Sequence, residues 1–308
     1  MRALIAGVAV AAAGVAGLLL SEAPATLRAP RSPLAALRAA NAKLPRPVPA
    51  SAVRRGEAAS VPGGPSPALA ALDLLRRGQL GEAERVVNAA QPADVRTSLD
   101  AATTARIEAE LDRLPPRGRE IGAWLIGKSP EADASELLAR HLRRESDTSV
   151  RLTIVAALGC RNDATAVGAL ETAAAQDPVD PVRASASLAL TGAARNDPAA
   201  RAFLIGRLAA EGSGPVAVAV ATAVGRVPSD ASASALLASL DSPSQAVRLA
   251  AARGLENQAG HVTPGTVAAQ VAAQQDLAVQ VALTESQKSL AGQLDVSLMN
   301  GCTVPSRR

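Results

Sequence analysis

Aromatic residues are nearly absent from this chain of 308 residues, which has one tryptophan (Trp124), one phenylalanine (Phe203) and no tyrosine. A large globular core normally uses aromatic side chains to fill its volume, so one large core is not expected. We expect thin helices of Ala, Val and Leu, which pack closely without such filler. Base stacking, on which the binding of single-stranded nucleic acid depends, would have almost no platform.

The residue types that usually carry chemistry are also scarce. The two histidines, His141 and His261, have no His or Cys at metal-ligand spacing, and we place His141 on a solvated helix face. The sequence has no Gly-Lys-Ser/Thr phosphate loop, no Gly-x-Ser-x-Gly elbow and no Cys–His pair. No catalytic residue, metal site or cofactor is therefore predicted, and we expect the chain not to be an enzyme.

Two cysteines, Cys160 and Cys302, are too few for a disulfide framework. The simplest interpretation is two unrelated thiols, with Cys160 part-buried at a helix end. In an oxidising compartment, the alternative is a bridge that ties the C-terminal tail to the body of the protein.

The net charge of +4 is unevenly distributed. Residues 1–68 contain 8 basic and 2 acidic residues, whereas residues 69–308 contain 24 basic and 26 acidic residues. The body of the chain is therefore close to neutral, which argues against a nucleic-acid groove along it.

Residues 1–25 predict a targeting segment. Residues 3–20 are an apolar run without charge, and Ala23-Pro24-Ala25 offers the small residues of a cleavage site after Ala25. A signal peptide is the preferred interpretation. The alternative is an uncleaved transmembrane anchor, because 18 residues are at the lower limit for spanning a bilayer. We expect the protein in the cell envelope, periplasmic or extracellular if cleaved and membrane-anchored through residues 3–20 if not.

The next two segments differ sharply in composition. Residues 26–66 are rich in Pro, Ala, Arg and Ser, which predicts a disordered, extended linker. Residues 67–98 predict a helical hairpin with Gly78 and Gly81 in its turn. This hairpin resembles part of a tetratricopeptide unit, and it is equally consistent with a divergent capping repeat.

One amphipathic phrase recurs along residues 99–260. Its clearest copy is 149–159, a helix preceded by Asp147 and ended by Gly159. The apolar residues of this copy share one helix face: Val150, Ile154, Ala157 and Leu158. Further copies begin 31 to 34 residues apart at Val182, Val216 and Val247, with a fainter one around Arg119. A period of this size indicates stacked helical repeats.

Each copy is preceded by a second helical stretch. The predicted first helices are 99–113, 134–144, 165–175, 197–210 and 231–240, with breakers such as Asp177-Pro178 between them. Residues 261–308 predict terminal helices at 263–275 and 279–298, followed by a tail. Because no stretch alternates with period two, no sheet is expected. The predicted fold class is all-α, an α-solenoid of helical hairpins.

The repeats resemble the HEAT-like repeats of phycobilin lyases. That family has an Asp in the turn, then Val-Arg, then a small-residue helix ending in Ala-Leu-Gly, and the 149–159 copy matches it fully. The copy at Val182 has Thr191 in place of the final Gly, and the copy at Val216 has Ala217 in place of Arg. The resemblance implies a ladder of arginines bonded to turn carboxylates of the same or the adjoining repeat: Asp147, Arg151, Asp180, Arg183 and Arg248. The alternative role for these charged residues is ligand binding.

In such arrays the second helix of each hairpin lines the concave side. The residues predicted to face a partner there are mostly apolar: Trp124, Leu152, Leu188, Val218, Leu249 and Arg253. An exposed apolar strip favours contact with a protein or peptide, for which Trp124 would be the natural anchor. The alternative is that packing between repeats, or the terminal helices, cover the strip.

These observations favour a non-enzymatic protein-protein interaction scaffold of the cell envelope, which binds another protein or peptide through an apolar concave face. The alternative is an accessory enzyme or assembly factor resembling bilin lyases. That role needs a cleft with polar acid or base groups, whereas the predicted row is apolar. Nucleic acid is not expected as a partner, because the body lacks net positive charge.

Overall fold

The computed structural model describes residues 66–161, 163–211 and 214–300, and this part of the chain is all-helical, with no strand. A single isolated bridge joins Ala259 and Val262. The helices are α1 Pro67–Arg76, α2 Leu80–Ala89, α3 Pro92–Thr97, α4 Ala101–Leu111, α5 Pro116–Lys128, α6 Ala134–Arg144, α7 Thr148–Gly159, α8 Ala164–Gln176, α9 Asp180–Ala189, α10 Thr191–Ala194, α11 Pro198–Glu211, α12 Pro215–Gly225, α13 Asp230–Ser239, α14 Gln245–Gly254, α15 Pro264–Ala273 and α16 Leu277–Asn300.

The helices pair into hairpins that stack in chain order. The second helices form one row, in which α5 contacts α7, α7 contacts α9, α9 contacts α12, α12 contacts α14 and α14 contacts α16. The first helices form another row, in which α6 contacts α8, α8 contacts α11 and α11 contacts α13. Two parallel rows of helices, layered in sequence order, are the arrangement of an α-solenoid, so the prediction of an all-helical fold is confirmed.

Helix starts are fixed by side chains that accept hydrogen bonds from free backbone amides. Asp100 accepts from the amide of Thr103 at 2.7 Å, and Asp163 accepts from that of Ala166 at 2.9 Å. Asp197 accepts from the amide of Ala199 at 2.8 Å, directly before Pro198 at the first position of α11. Such caps stabilise a helix by about 1 kcal/mol each, and they are the reason why the predicted boundaries lie close to the observed ones.

The core is a continuous aliphatic cluster that runs through the hairpins from Ala68 to Leu290. Its largest fully buried side chains are leucines and isoleucines, such as Leu125, Ile126 and Ile154. The two aromatic residues, Trp124 and Phe203, are only part-buried and pack against this cluster. Each hairpin is too thin to bury its apolar face alone, so burial comes from the neighbouring hairpins.

Glycines allow consecutive second helices to approach closely at their C-terminal ends. A Cβ added to Gly159 of α7 would lie 2.8 Å from the Cβ of Ala189 on α9. A Cβ on Gly225 of α12 would lie 2.6 Å from the Cα of Gly254 on α14. Since atoms cannot approach this closely, the glycine that ends the repeated phrase is required by the adjoining repeat.

The one copy with Thr191 at this position departs from the pattern. There the second helix is interrupted at Leu190, and the short helix α10 follows. The hydroxyl of Thr191 is buried and has no hydrogen-bond partner among the described residues. In this copy a side chain at the glycine position therefore coincides with a break in the helix and an unsatisfied polar group.

We expect the Gly159→Ala variant to be less stable than the wild type by about 1–3 kcal/mol, because the new methyl group overlaps Ala189. The matched control is Gly168→Ala on the exposed face of α8, where nothing lies within 4 Å. The Gly168→Ala variant should be more stable than the wild type by about 0.5–1 kcal/mol, because alanine has a higher helix propensity than glycine. Thermal unfolding followed by circular dichroism measures both, and equal effects of the two changes would contradict the close approach.

Candidate functional site

The residues predicted to face a partner lie on the second helices, but they are not equally open. Trp124, Leu152, Leu188 and Leu249 are part-buried and pack against the core cluster. Arg253 is exposed on α14. The strip is therefore partly covered by packing between repeats, and its openness increases toward the C-terminal end.

Val218 is a correction to the predicted strip. It is 7% exposed, and it packs with Ala217 against Val247 of α14. The helix that contains it, α12, is buried along most of its length because it lies inside the stack and has Ala and Val on every face. The predicted position is therefore covered by the next repeat.

The most open apolar surface of the second-helix row is a groove between α14 and α16. Leu249 and Arg253, both predicted contact residues, line one wall, and Leu277, Val281 and Glu285 line the other. Leu277 is 73% exposed and Val281 is 50% exposed, whereas the other large apolar side chains whose burial the structure describes, up to residue 292, are buried or part-buried. We call this surface, together with Ala278 and Ala282 at its base, the α14–α16 groove.

The rim of the α14–α16 groove is charged and ordered. Asp276 accepts a hydrogen bond from Arg248 at 2.9 Å and from the amide of Ala278 at 3.0 Å, so it caps α16 and joins it to α14. Burial alone would raise the pKa of Asp276, but these hydrogen bonds outweigh it and hold the pKa below its usual range. Arg253 and Glu285 stand on opposite walls. An apolar floor with a charged rim is the usual composition of a protein contact surface.

The arginine ladder joins three of the second helices, α5, α7 and α14, to the turn of the adjoining repeat. Arg119 donates two hydrogen bonds to Glu145, from Nε at 2.7 Å and from a terminal nitrogen at 2.9 Å. Arg151 pairs with Asp177 through one terminal nitrogen, and both side chains are largely buried. The pair Arg248–Asp276 repeats this geometry at the end of the array, so these contacts connect neighbouring hairpins.

Three members of the predicted ladder, Asp147, Asp180 and Arg183, make local contacts. The carboxylate of Asp147 caps α7 by accepting from the amides of Ser149 at 2.9 Å and Val150 at 3.2 Å and does not pair with the Arg151 side chain. The contact between the two residues is a backbone hydrogen bond from the Arg151 amide to the Asp147 carbonyl at 3.0 Å. Arg183 pairs with Asp180 of its own turn and donates to the carbonyl of Asp177 at 2.7 Å. The acceptors that sequence reasoning missed follow a regular spacing, since Glu145 and Asp177 each come 26 residues after their arginine.

His141 is also a correction, because its side chain is 3% exposed and does not lie on a solvated face. It shares a face of α6 with the buried residues Ala134 and Leu138, at intervals of four and three residues. That spacing is typical of a core-facing position and could have been recognised in the sequence. No group of His, Cys, Asp and Glu side chains in the described part of the chain is arranged to hold a metal ion.

The remaining sequence expectations fall partly outside residues 66–161, 163–211 and 214–300. Within these ranges no helix has both the length and the apolar composition that crossing a bilayer requires. The apolar run 3–20, the linker up to residue 65 and Cys302 lie outside them. Cys160 is exposed, not part-buried as expected.

Comparison with known families agrees with this architecture. Residues 104–191 match a family model described as HEAT repeats, and this span begins within α4 and ends at Thr191. Together with the stacked helical hairpins, the match supports HEAT-like repeats in this part of the chain. No curated protein matches the chain.

We expect Arg151→Ala to lower the free energy of unfolding by about 3–5 kcal/mol, because it leaves the buried carboxylate of Asp177 without its partner. The matched control is Arg140→Ala, which removes an exposed pair with Glu108 at 3.4 Å and should cost about 0–1 kcal/mol. Urea denaturation of both variants provides the comparison. An Arg151→Ala variant as stable as the control would show that the ladder does not stabilise the array.

Proposed function

We propose that this chain is a non-enzymatic scaffold of the cell envelope, which binds another protein or peptide through its second-helix row and uses the α14–α16 groove as the docking site. HEAT repeats generally mediate protein–protein interaction, since their stacked hairpins present a long continuous surface. The repeat scaffold is typically non-enzymatic.

The observation that carries this proposal is the exposure of Leu277 and Val281 beside Leu249. These residues lie on two neighbouring second helices, so they form one apolar surface. Covering a large aliphatic side chain is worth roughly 1.5–3 kcal/mol, which makes this surface a favourable place for a partner to bind. Arg253 and Glu285 on the rim would orient that partner by charge.

The alternative, an accessory enzyme or assembly factor resembling bilin lyases, is less well supported. Acid–base chemistry needs a titratable group that is free to reach the substrate. Asp276 is not free, because it accepts hydrogen bonds from Arg248 and from the backbone amide of Ala278. Glu285 lies on an open, exposed wall of the groove and not in an enclosed cleft. The apolar lining of the groove favours protein contact over catalysis.

The location in the cell envelope rests on residues 1–25 and is part of the proposal. Cleavage after Ala25 would give a periplasmic or extracellular protein that begins at Thr26. Retention of residues 3–20 would give a membrane-anchored protein. N-terminal sequencing of the protein isolated from cells distinguishes the two forms, and a soluble cytoplasmic protein that retains Met1 would exclude both.

Site-specific photo-crosslinking in cells tests the docking site. A photoreactive amino acid at Leu277 should give one discrete crosslinked product, because this side chain projects into the groove. The same label at Ala238, which is exposed on the first helix α13, should not give that product. Adding Val281→Ser should reduce the crosslinking yield at position 277 by about tenfold, which corresponds to a loss of about 1.4 kcal/mol in binding free energy.

Two outcomes would contradict the docking site. The first is equal crosslinking at positions 277 and 238, and the second is an unchanged yield in the Val281→Ser variant. Because Val281 is half exposed, this change should leave thermal unfolding unaltered, and circular dichroism of the purified variant checks that the fold is kept.

A further inference from the structure

One buried titratable group has no part in the proposed docking site. His141 lies in the last turn of α6 with a side chain that is 3% exposed. Its Nε2 atom makes no hydrogen bond within the described part of the chain. A buried imidazole with an unsatisfied nitrogen is costly, so its neighbours determine how it responds to protonation.

Charged groups from three parts of the fold face this imidazole. Glu145, at the end of α6, lies 3.4 Å from Nε2 and is itself held by Arg119 of α5. Arg144 donates from its Nε to Nδ1 of His141 at 3.4 Å, and Asp112, which follows α4, lies 3.6 Å from the same Nδ1. The ring therefore stands where hairpin α4–α5 meets hairpin α6–α7.

These contacts define the neutral state of the ring. Because Nδ1 accepts a hydrogen bond from Arg144, the single proton of the neutral imidazole lies on Nε2 and faces Glu145. Addition of one proton from solvent must occur at Nδ1. The new N–H then opposes the guanidinium N–H of Arg144, and the carboxylate of Asp112 becomes its nearest acceptor.

We propose that His141 is a proton-operated switch at the joint between these two hairpins: the neutral ring keeps Arg144 on Nδ1, and protonation exchanges Arg144 for Asp112 and places a charge in a buried site, which destabilises the joint. Arg144 is free to move because its other contacts, to Glu108 at 3.7 Å and Asp112 at 3.4 Å, are on the surface. Glu145 stays in place, since Arg119 and the amides of Ser146 and Asp147 all donate to it.

The direction of the pH effect follows from burial. Burial lowers the pKa of His141 below its usual value, and Arg144 and Arg119 act in the same direction, while Glu145 and Asp112 only partly oppose them. The folded protein therefore binds this proton more weakly than the unfolded chain does. The stability of the joint is fully present above the unfolded pKa of about 6.5 and decreases as the pH falls below it.

Titration of the two imidazoles by NMR tests the proposal on the intact protein. The chain has only two histidines, and the second, His261, is exposed on the surface and contacts Asp230 at 2.7 Å. The His261→Gln variant assigns its signal, which leaves the other to His141. We expect His141 to titrate below about 6.5, and a value at or above this would overturn the proposal.

A second measurement separates the switch from general acid sensitivity. Gln at position 141 can accept from Arg144 and donate toward Glu145, but it cannot take up a proton. Between about pH 7.5 and about pH 5, the Tm of the wild type should therefore fall more steeply than that of His141→Gln. Equal slopes would overturn the proposal, and the NMR titration decides the question if the variant does not fold.

Discussion

The close contact between consecutive second helices is the constraint on which the rest of the structure depends. At their C-terminal ends the helices meet through Gly and Ala, where even one additional carbon atom has no room. At their N-terminal ends they are joined by pairs such as Arg119–Glu145 and Arg248–Asp276. The second helices α5, α7 and α14 are tied to the next repeat by such a pair, whereas α9 pairs within its own turn and α12 has Ala217 in place of the arginine. These contacts explain how the hairpins from α4 to α14, whose paired helices have ten to fourteen residues each and are too thin to fold alone, form a single core.

The same constraint explains where a partner can bind. Within the stack each second helix is covered on both sides, so that Val218 is buried and Leu188 is part-buried. At the C-terminal end, α16 is followed by no further hairpin among the described residues. Its residues Leu277 and Val281 are exposed beside α14. The groove proposed for partner binding therefore lies between α14 and α16, where the second-helix row is least covered in the part of the chain whose burial the structure describes.

Much of the fold could be predicted from the sequence because local signals and the repeat period agree. The predicted helix 134–144 coincides with α6, and the helix 149–159 lies within α7. The misses concern contacts between repeats, which no local pattern specifies. The sequence marks Asp177 as a turn residue. Its pairing with Arg151 depends on how the next hairpin stacks, which the turn itself does not specify. The prediction of a solvated position for His141 is wrong because this residue shares a face of α6 with the buried residues Ala134 and Leu138.

Amide hydrogen exchange of the wild-type protein tests the central claim most directly, because it reports the stability of each helix separately. If the row of second helices holds the array together, amides in α7, α9 and α12 should exchange more slowly than those in the first helices α8 and α11. This order should persist after correction for intrinsic rates. First helices that exchange as slowly as the second helices, or more slowly, would contradict the account.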